Sequence, residues 1–321
     1  MNVLPSAGVS RPPVRSRRPW WQGAVPYLYL SPALLTIALM QVFPVGYTIY
    51  VAFTNYNLNN FANPRFIGLE NFREIITGRL LREMAPAFGW TITFAVLGTL
   101  LAFSVGLVLA VLLSNPFLRE GAIYRGILIL PWALPGTVAI LAWSGLLNDG
   151  YGQINGLLTR LFGPEAAVPW LTNPTMAKVS VLLVNTWLGF PFMMSLCLGA
   201  LQSIPPELYE AAEIDGASSW KQFWHITLPI LTSFSLPLLI STFSYNFNNF
   251  GAVFLLTGGG PPVPGRTYAG ATDLLISVAY KLTQQYFQWG LGAATSIILF
   301  FIVGTLSLLQ FKLSGTFREV R

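Results

Sequence analysis

The stretch Glu210-Ala211-Ala212-Glu213-Ile214-Asp215-Gly216, followed after nine intervening residues by Ile226-Thr227-Leu228-Pro229, decides how this chain is read. Its pattern is EAA-x3-G-x9-I-x-L-P, set in a polar loop between two long apolar runs. A charged, alanine-rich segment favours a short helix. Gly216 ends it, because glycine accepts the positive φ of a sharp helix exit. Pro229 falls in the first turn of the next apolar run, where a missing N–H costs little. The loop is expected to hold a short cytoplasmic helix between two membrane spans, exposed for another protein to grip.

Outward from that loop the chain is a membrane chain. Of its 321 residues 54% are hydrophobic and 9% charged, about a third of the charged share of soluble domains. Six runs approach or exceed the roughly 20 apolar residues that cross a bilayer as a helix. They cover about 25–53, 88–113, 124–147, 177–201, 226–256 and 290–311. The predicted fold is all-α, six spans in one membrane domain over 25–321, behind a basic tail at 1–24 and with the handle loop at 202–225.

The net charge of +6 does not describe a nucleic-acid patch. Arg11, Arg15, Arg17 and Arg18 adjoin the first span with no acidic neighbour, which reads as a cytoplasmic tail. Trp20 and Trp21 suit the headgroup level. The apolar run behind them is too long for a signal peptide and reads as a retained span. Six spans return the C-terminus to the cytoplasm, in line with Lys312, Arg318 and Arg321. Segments 54–87, 148–176 and 257–289 then lie outside, and 114–123 and 202–225 inside. Arg65, Arg73, Arg79 and Arg82 in the first outer loop run against the charge rule.

Several chemistries are excluded. Cys197 is the only cysteine and His225 the only histidine, so a disulfide within the chain and cysteine or histidine metal clusters have no ligands. Cys197 is expected to be a buried packing residue and His225 a surface one. No Asp, Glu, Lys or Arg falls in the centre of a span, which argues against a proton-coupled carrier and an intramembrane acid–base enzyme. No G-x-x-x-x-G-K-[ST] occurs, so active transport would draw its energy from another subunit. Sodium coupling through backbone carbonyls stays open.

Two patterns suggest a pathway. Pro131 and Pro135 interrupt the third span and Pro191 the fourth, predicting helices bent around a centre. Pro229 and Pro237 in the fifth permit either packing or function. Asn246, Asn248 and Asn249 lie among aromatics in the fifth span. On one helix Tyr245, Asn246 and Asn249 would share a face, as Asn185, Gly189 and Phe192 would in the fourth. Two such facing stripes offer amides, rings and a small-residue gap without charge, which suits a neutral sugar. Interhelical hydrogen bonding between the asparagines is the other reading, and both stay open.

The EAA loop resembles the cytoplasmic loop of ATP-binding-cassette (ABC) importer permeases, matching every position of that motif. Further runs resemble the maltose permease (MalF-like) family: Tyr124-Arg125-Gly126, Leu130-Pro131-Trp132-Ala133-Leu134-Pro135, Val184 to Pro191, Tyr245 to Phe250, Gly259-Gly260-Pro261 and Thr272-Asp273-Leu274-Leu275. The resemblance covers most of the chain from about Phe88 onward. It implies the type I importer permease (MetI/MalF-like) fold in a bacterial inner membrane, with both termini cytoplasmic. It also implies a MalG-like second permease subunit, two copies of a MalK-like ATPase holding ATP and magnesium, and an extracytoplasmic sugar-binding protein. This chain would be no enzyme and would hold no cofactor. Glu210, Ala211, Ala212 and Gly216 would dock in the ATPase.

The family's sugar site carries over in type at Asn185, Leu188, Gly189, Asn246 and Asn249. Trp132 and Phe192 replace tyrosines, Tyr245 a phenylalanine and Gly136 a serine. Three hydroxyls are lost and one gained, so maltose, maltodextrin, trehalose or another disaccharide is implied. The best-known members also carry a large outer domain, where this chain has only residues 54–87.

Overall fold

The computed structural model describes residues 20–115 and 117–313; the basic tail up to residue 19, Pro116, Arg318 and Arg321 lie outside the described residues. The chain divides between Tyr50 and Val51 into two units. In the first, α1 (Trp20–Ile37) passes through a π turn at Ala38–Val42 into α2 (Phe43–Ala52). Residues Pro26–Ala52 are long and apolar enough to span a bilayer. Exposed side chains such as Tyr29 and Met40 suit contact with lipid or another apolar surface. The π turn ends two residues before Pro44, and its extra residue relieves the clash a proline ring makes with the preceding turn.

The second unit is built on α4 and its partners. After α3 (Glu70–Ile76) comes α4 (Leu81–Leu113), the longest helix described. The predicted third span is not one helix. It consists of α5 (Gly121–Leu128), α6 (Leu130–Ala133) and α7 (Gly136–Leu146), with a 92° bend between Gly121–Ala133 and Gly136–Leu146. Leu134 is extended there and Pro135 takes ψ 120°. A residue before proline is pushed out of the helical region, so Leu134-Pro135 breaks the span rather than merely kinking it.

Beyond α8 (Gln153–Phe162), α9 (Pro174–Gln202) starts at Asn173-Pro174. The Asn173 side chain accepts from the Thr175 and Met176 N–H groups while Pro174 needs no acceptor. Helices α4 and α9 pack closely through Gly98, Ala102, Gly106 and Ala110, spaced four apart on α4. A Cβ on Gly106 would come 2.6 Å from the Met194 backbone nitrogen. Small residues are what allow such backbone approach within a membrane. Around this seam Phe103, Leu107, Met193, Met194 and Leu231 form a core with Cys197, which is fully buried.

The handle loop contains α10 (Glu207–Ile214). Then α11 (Ser219–Gln222) leads through a π turn at Phe223–Thr227 into α12 (Leu228–Phe247). Pro229 stands in the first turn of α12, as expected, just behind the π turn that leads into it. The predicted fifth span also stops short. Asn248 and Asn249 leave helical geometry, and α13 (Phe250–Thr257) begins anew. Asparagine amides compete for backbone groups and favour such breaks. Two further helices follow, α14 (Leu275–Gln284) and α15 (Trp289–Leu313).

Segment 257–289, expected as an outer loop with turn chemistry, is a folded layer. The buried Glu83 carboxylate accepts from the N–H groups of Thr267, Tyr268 and Ala269 at 3.0, 2.5 and 3.0 Å. Asp273 meets Lys281 at 2.6 Å in a buried ion pair. Burial pushes the Asp273 carboxyl above its ordinary range, against the downward pull of Lys281 and its N–H and hydroxyl donors. The Tyr268 hydroxyl is also pushed up, by burial and by the nearby Glu83 charge.

Candidate functional site

A cavity of about 510 Å³ opens between α6, α7, α9 and α12. All nine residues predicted for a sugar site line it: Trp132, Gly136, Asn185, Leu188, Gly189, Phe192, Tyr245, Asn246 and Asn249. The bend at Leu134-Pro135 brings Trp132 and Gly136 to its wall. On α9, Asn185, Gly189 and Phe192 share a face at four- and three-residue steps, as the helical period requires. The Trp132 and Phe192 rings lie 6.2 Å apart at 44°, and Trp132 and Tyr245 are largely exposed.

The asparagines reach the cavity differently from expectation. Only Asn246 lies on α12; Asn249 lies past the break, so no single helical face presents them. Asn249 Oδ1 accepts from the Ala252 N–H and caps α13. Its Nδ2 donates to Asn185 Oδ1 at 2.9 Å. Asn246 Nδ2 donates to Thr99 Oγ1 at 3.0 Å. Interhelical bonding and cavity lining, set against each other in the sequence, are thus combined in the same side chains. Asn248 falls elsewhere, in a groove with Tyr280, Ser296 and Phe300.

Sequence reasoning missed the groups behind this wall. Gly98 of α4 leaves room for both amides, since a Cβ there would lie 2.7 Å from Asn185 Nδ2 and 3.4 Å from Asn246 Nδ2. Thr99 fixes the Asn246 amide. Thr242 also lines the cavity, and its place one turn before Asn246 was the available signal. Among the described residues, no Asp, Glu, Lys, Arg or His lines the cavity. Its surface offers amides, aromatic faces and aliphatic walls, which can hold hydroxyls and the C–H faces of a neutral polyol but supply no acid or base.

The EAA residues lie apart from the cavity, beyond the C-terminal end of α9. Glu210, Ala211 and Gly216 are exposed, and Ala212 is half-buried. Gly216 takes φ +75°, its N–H reaches Glu213 O at 3.0 Å, and the Ala217 N–H reaches Ala212 O at 2.8 Å. This pair of bonds is the Schellman helix stop. The Tyr209 hydroxyl meets Thr227 Oγ1 at 2.9 Å, pinning α10 to the helical run that continues into the cavity wall. His225 is exposed. Tyr209→Phe is expected to loosen α10 from that run and to destabilise the protein by about 0.5–1.5 kcal/mol, the worth of one hydrogen bond; thermal unfolding of the purified protein checks it.

Residues 102–313 match the family described as binding-protein-dependent transport system inner membrane component. The chain belongs to this family. It is 39% identical over 298 residues to the galactooligosaccharides transport system permease protein GanP of Bacillus subtilis, covering 92% of this chain and 71% of that one. It is 38% identical over 306 residues to the maltodextrin permease MalC of Streptococcus pneumoniae, with 91% and 69% coverage. The maltose/maltodextrin permease MalF of Escherichia coli is 42% identical over 250 residues, where the match spans 76% of this chain and 48% of that one. A crystal structure of a bacterial ABC transporter for the acidic polysaccharide alginate has the same fold, with TM-score 0.71 at 21% identity over 94% of this chain and 98% of that one. This permease is a multi-pass membrane transport subunit and not an enzyme. The matched region contains α9, the EAA loop and the Asn246–Asn249 break.

Proposed function

We propose that this permease is the transmembrane subunit of an ATP-driven importer for a neutral disaccharide or oligosaccharide, such as maltose, maltodextrin or trehalose. The uncharged amide and aromatic cavity carries the reading. Trp132, Phe192 and Tyr245 would stack against sugar faces, while Asn185, Asn246 and Asn249 would bond hydroxyls and Gly136, Leu188 and Gly189 shape the gap. The names of the GanP, MalC and MalF relatives, each a permease for a neutral oligosaccharide, support the same class.

Energy would come from two copies of a MalK-like ATPase, which hold ATP and magnesium and grip α10 through Glu210, Ala211, Ala212 and the Gly216 stop. A MalG-like second permease subunit would close the other side of the pathway, and an extracytoplasmic binding protein would deliver the sugar. Both termini would lie in the cytoplasm of a bacterial cell, on the side of the EAA loop. Uptake of labelled maltose, trehalose and a galacto-oligosaccharide into proteoliposomes holding the complete complex tests this. Saturable, ATP-dependent uptake of one of them is expected; transport confined to amino acids or charged solutes would overturn it.

A further inference from the structure

A second cleft, of about 260 Å³, lies where the N-terminal ends of α4 and α9 meet the 257–274 segment. Pro86, Pro174, Pro262 and Pro264 wall it, and Lys178 and Arg266 bring positive charge. Asp273 also lines it, but Asp273 Oδ2 holds Lys281 and the Gly270 N–H, and its Oδ1 accepts from Ser277. The Glu83 carboxylate, three residues before Pro86, is taken by three backbone N–H groups. Neither Lys178 nor Arg266 is ion-paired among the described residues. Lys178 instead lies over the Trp90 ring, 4.9 Å from its centroid, a contact that holds the ammonium in place while leaving it charged.

The position of the cleft gives it a use. It sits at the start of α9, and the EAA helix follows the end of α9, so the two lie at opposite ends of one helix. Along α4 and α9 the cleft and the sugar cavity are connected directly. At 1.5 Å per residue, Ala87 is about 22 Å from Ala102, and Lys178 about 16 Å from Gly189. Proline walls are fixed before any partner arrives, which lowers the entropy lost on docking.

We propose that this cleft seats an acidic side chain of the extracytoplasmic sugar-binding protein, its carboxylate held between Lys178 and Arg266. The proposal rests on the importer reading given above, in which the end of α9 opposite the EAA loop faces outward. Opposite charge would steer the encounter and fix its register. Occupying the cleft would load α4 and α9, the helices that carry Gly98 and Asn185.

The test uses the complete complex in lipid nanodiscs, with ATPase activity titrated against the sugar-loaded binding protein. Arg266→Glu and Lys178→Glu are each expected to raise the half-stimulating concentration about tenfold, the effect of opposing a charge that was matched, with basal ATPase activity unchanged. Arg266→Lys should keep the wild-type titration, and an acidic-to-lysine change on the binding protein should rescue Arg266→Glu. Titrations of both Glu variants that overlay the wild type would overturn the cleft assignment alone. A shift seen only with phosphatidylglycerol in the disc would make the cleft a lipid site and also overturn it. If the wild-type complex itself ignores the binding protein, the importer reading fails and this assignment with it.

Discussion

Gly216→Pro is expected to abolish ATP-driven uptake while leaving the permease in the membrane. Gly216 stands at φ +75°, whereas the proline ring fixes φ near −65°. Proline also deletes the N–H that bonds Glu213 O. Both effects act at the stop of α10, so the exposed helix loses its end and its direction toward the chain that follows. Misplacing a working contact by about 1 Å can cost on the order of a hundredfold in rate, and uptake should fall at least that far. Gly216→Ala supplies the intermediate case, because a left-handed alanine costs about 1–2 kcal/mol rather than being forbidden. Gly216 itself is exposed, and a Cβ there would meet nothing within 4 Å, so membrane content should match the wild type. Uptake, membrane content and ATPase co-purification are to be measured together. Normal uptake by the proline variant would remove Gly216 and the EAA helix from the coupling path.

Much of this organisation was legible in the chain, for a physical reason in each case. Hydropathy located the spans because a bilayer demands long apolar runs. The helix stop at Gly216 was legible because a Schellman turn is a local event with a local residue requirement. On α9 the Asn185, Gly189 and Phe192 stripe followed from helical period alone, since α9 is unbroken. Hydropathy measures apolarity and not continuity, so it passed over the breaks at Leu134-Pro135 and Asn248-Asn249. Carrying Trp132, Gly136, Tyr245, Asn246 and Asn249 over from a resemblance put residues on one wall that simple helical faces would have separated. Groups with distant partners left no local trace. Glu83 answers N–H groups at 267–269, and Gly98 reads as one more small residue in a membrane helix until Asn185 is placed against it.

That dependence makes Gly98→Ala the sharper test of the cavity. A methyl at Gly98 would come 2.7 Å from Asn185 Nδ2, with Asn246 Nδ2 at 3.4 Å. The Asn185 amide must rotate or withdraw, which breaks its bond from Asn249 Nδ2 and disturbs the side chain that caps α13. Leaving such groups unpaired costs about 1–3 kcal/mol. Against this, alanine stabilises a helix interior over glycine by up to about 1 kcal/mol, so α4 should form as before. The expected result is a KM for sugar raised about tenfold to a hundredfold, with basal ATPase activity and subunit assembly unchanged. Gly89→Ala is the matched control, since a Cβ there meets nothing within 4 Å on the same helix. Equal KM values in the two variants would mean that the Asn185–Asn249 pair only holds helices together, and the sugar would have to be bound by the Trp132 side of the cavity.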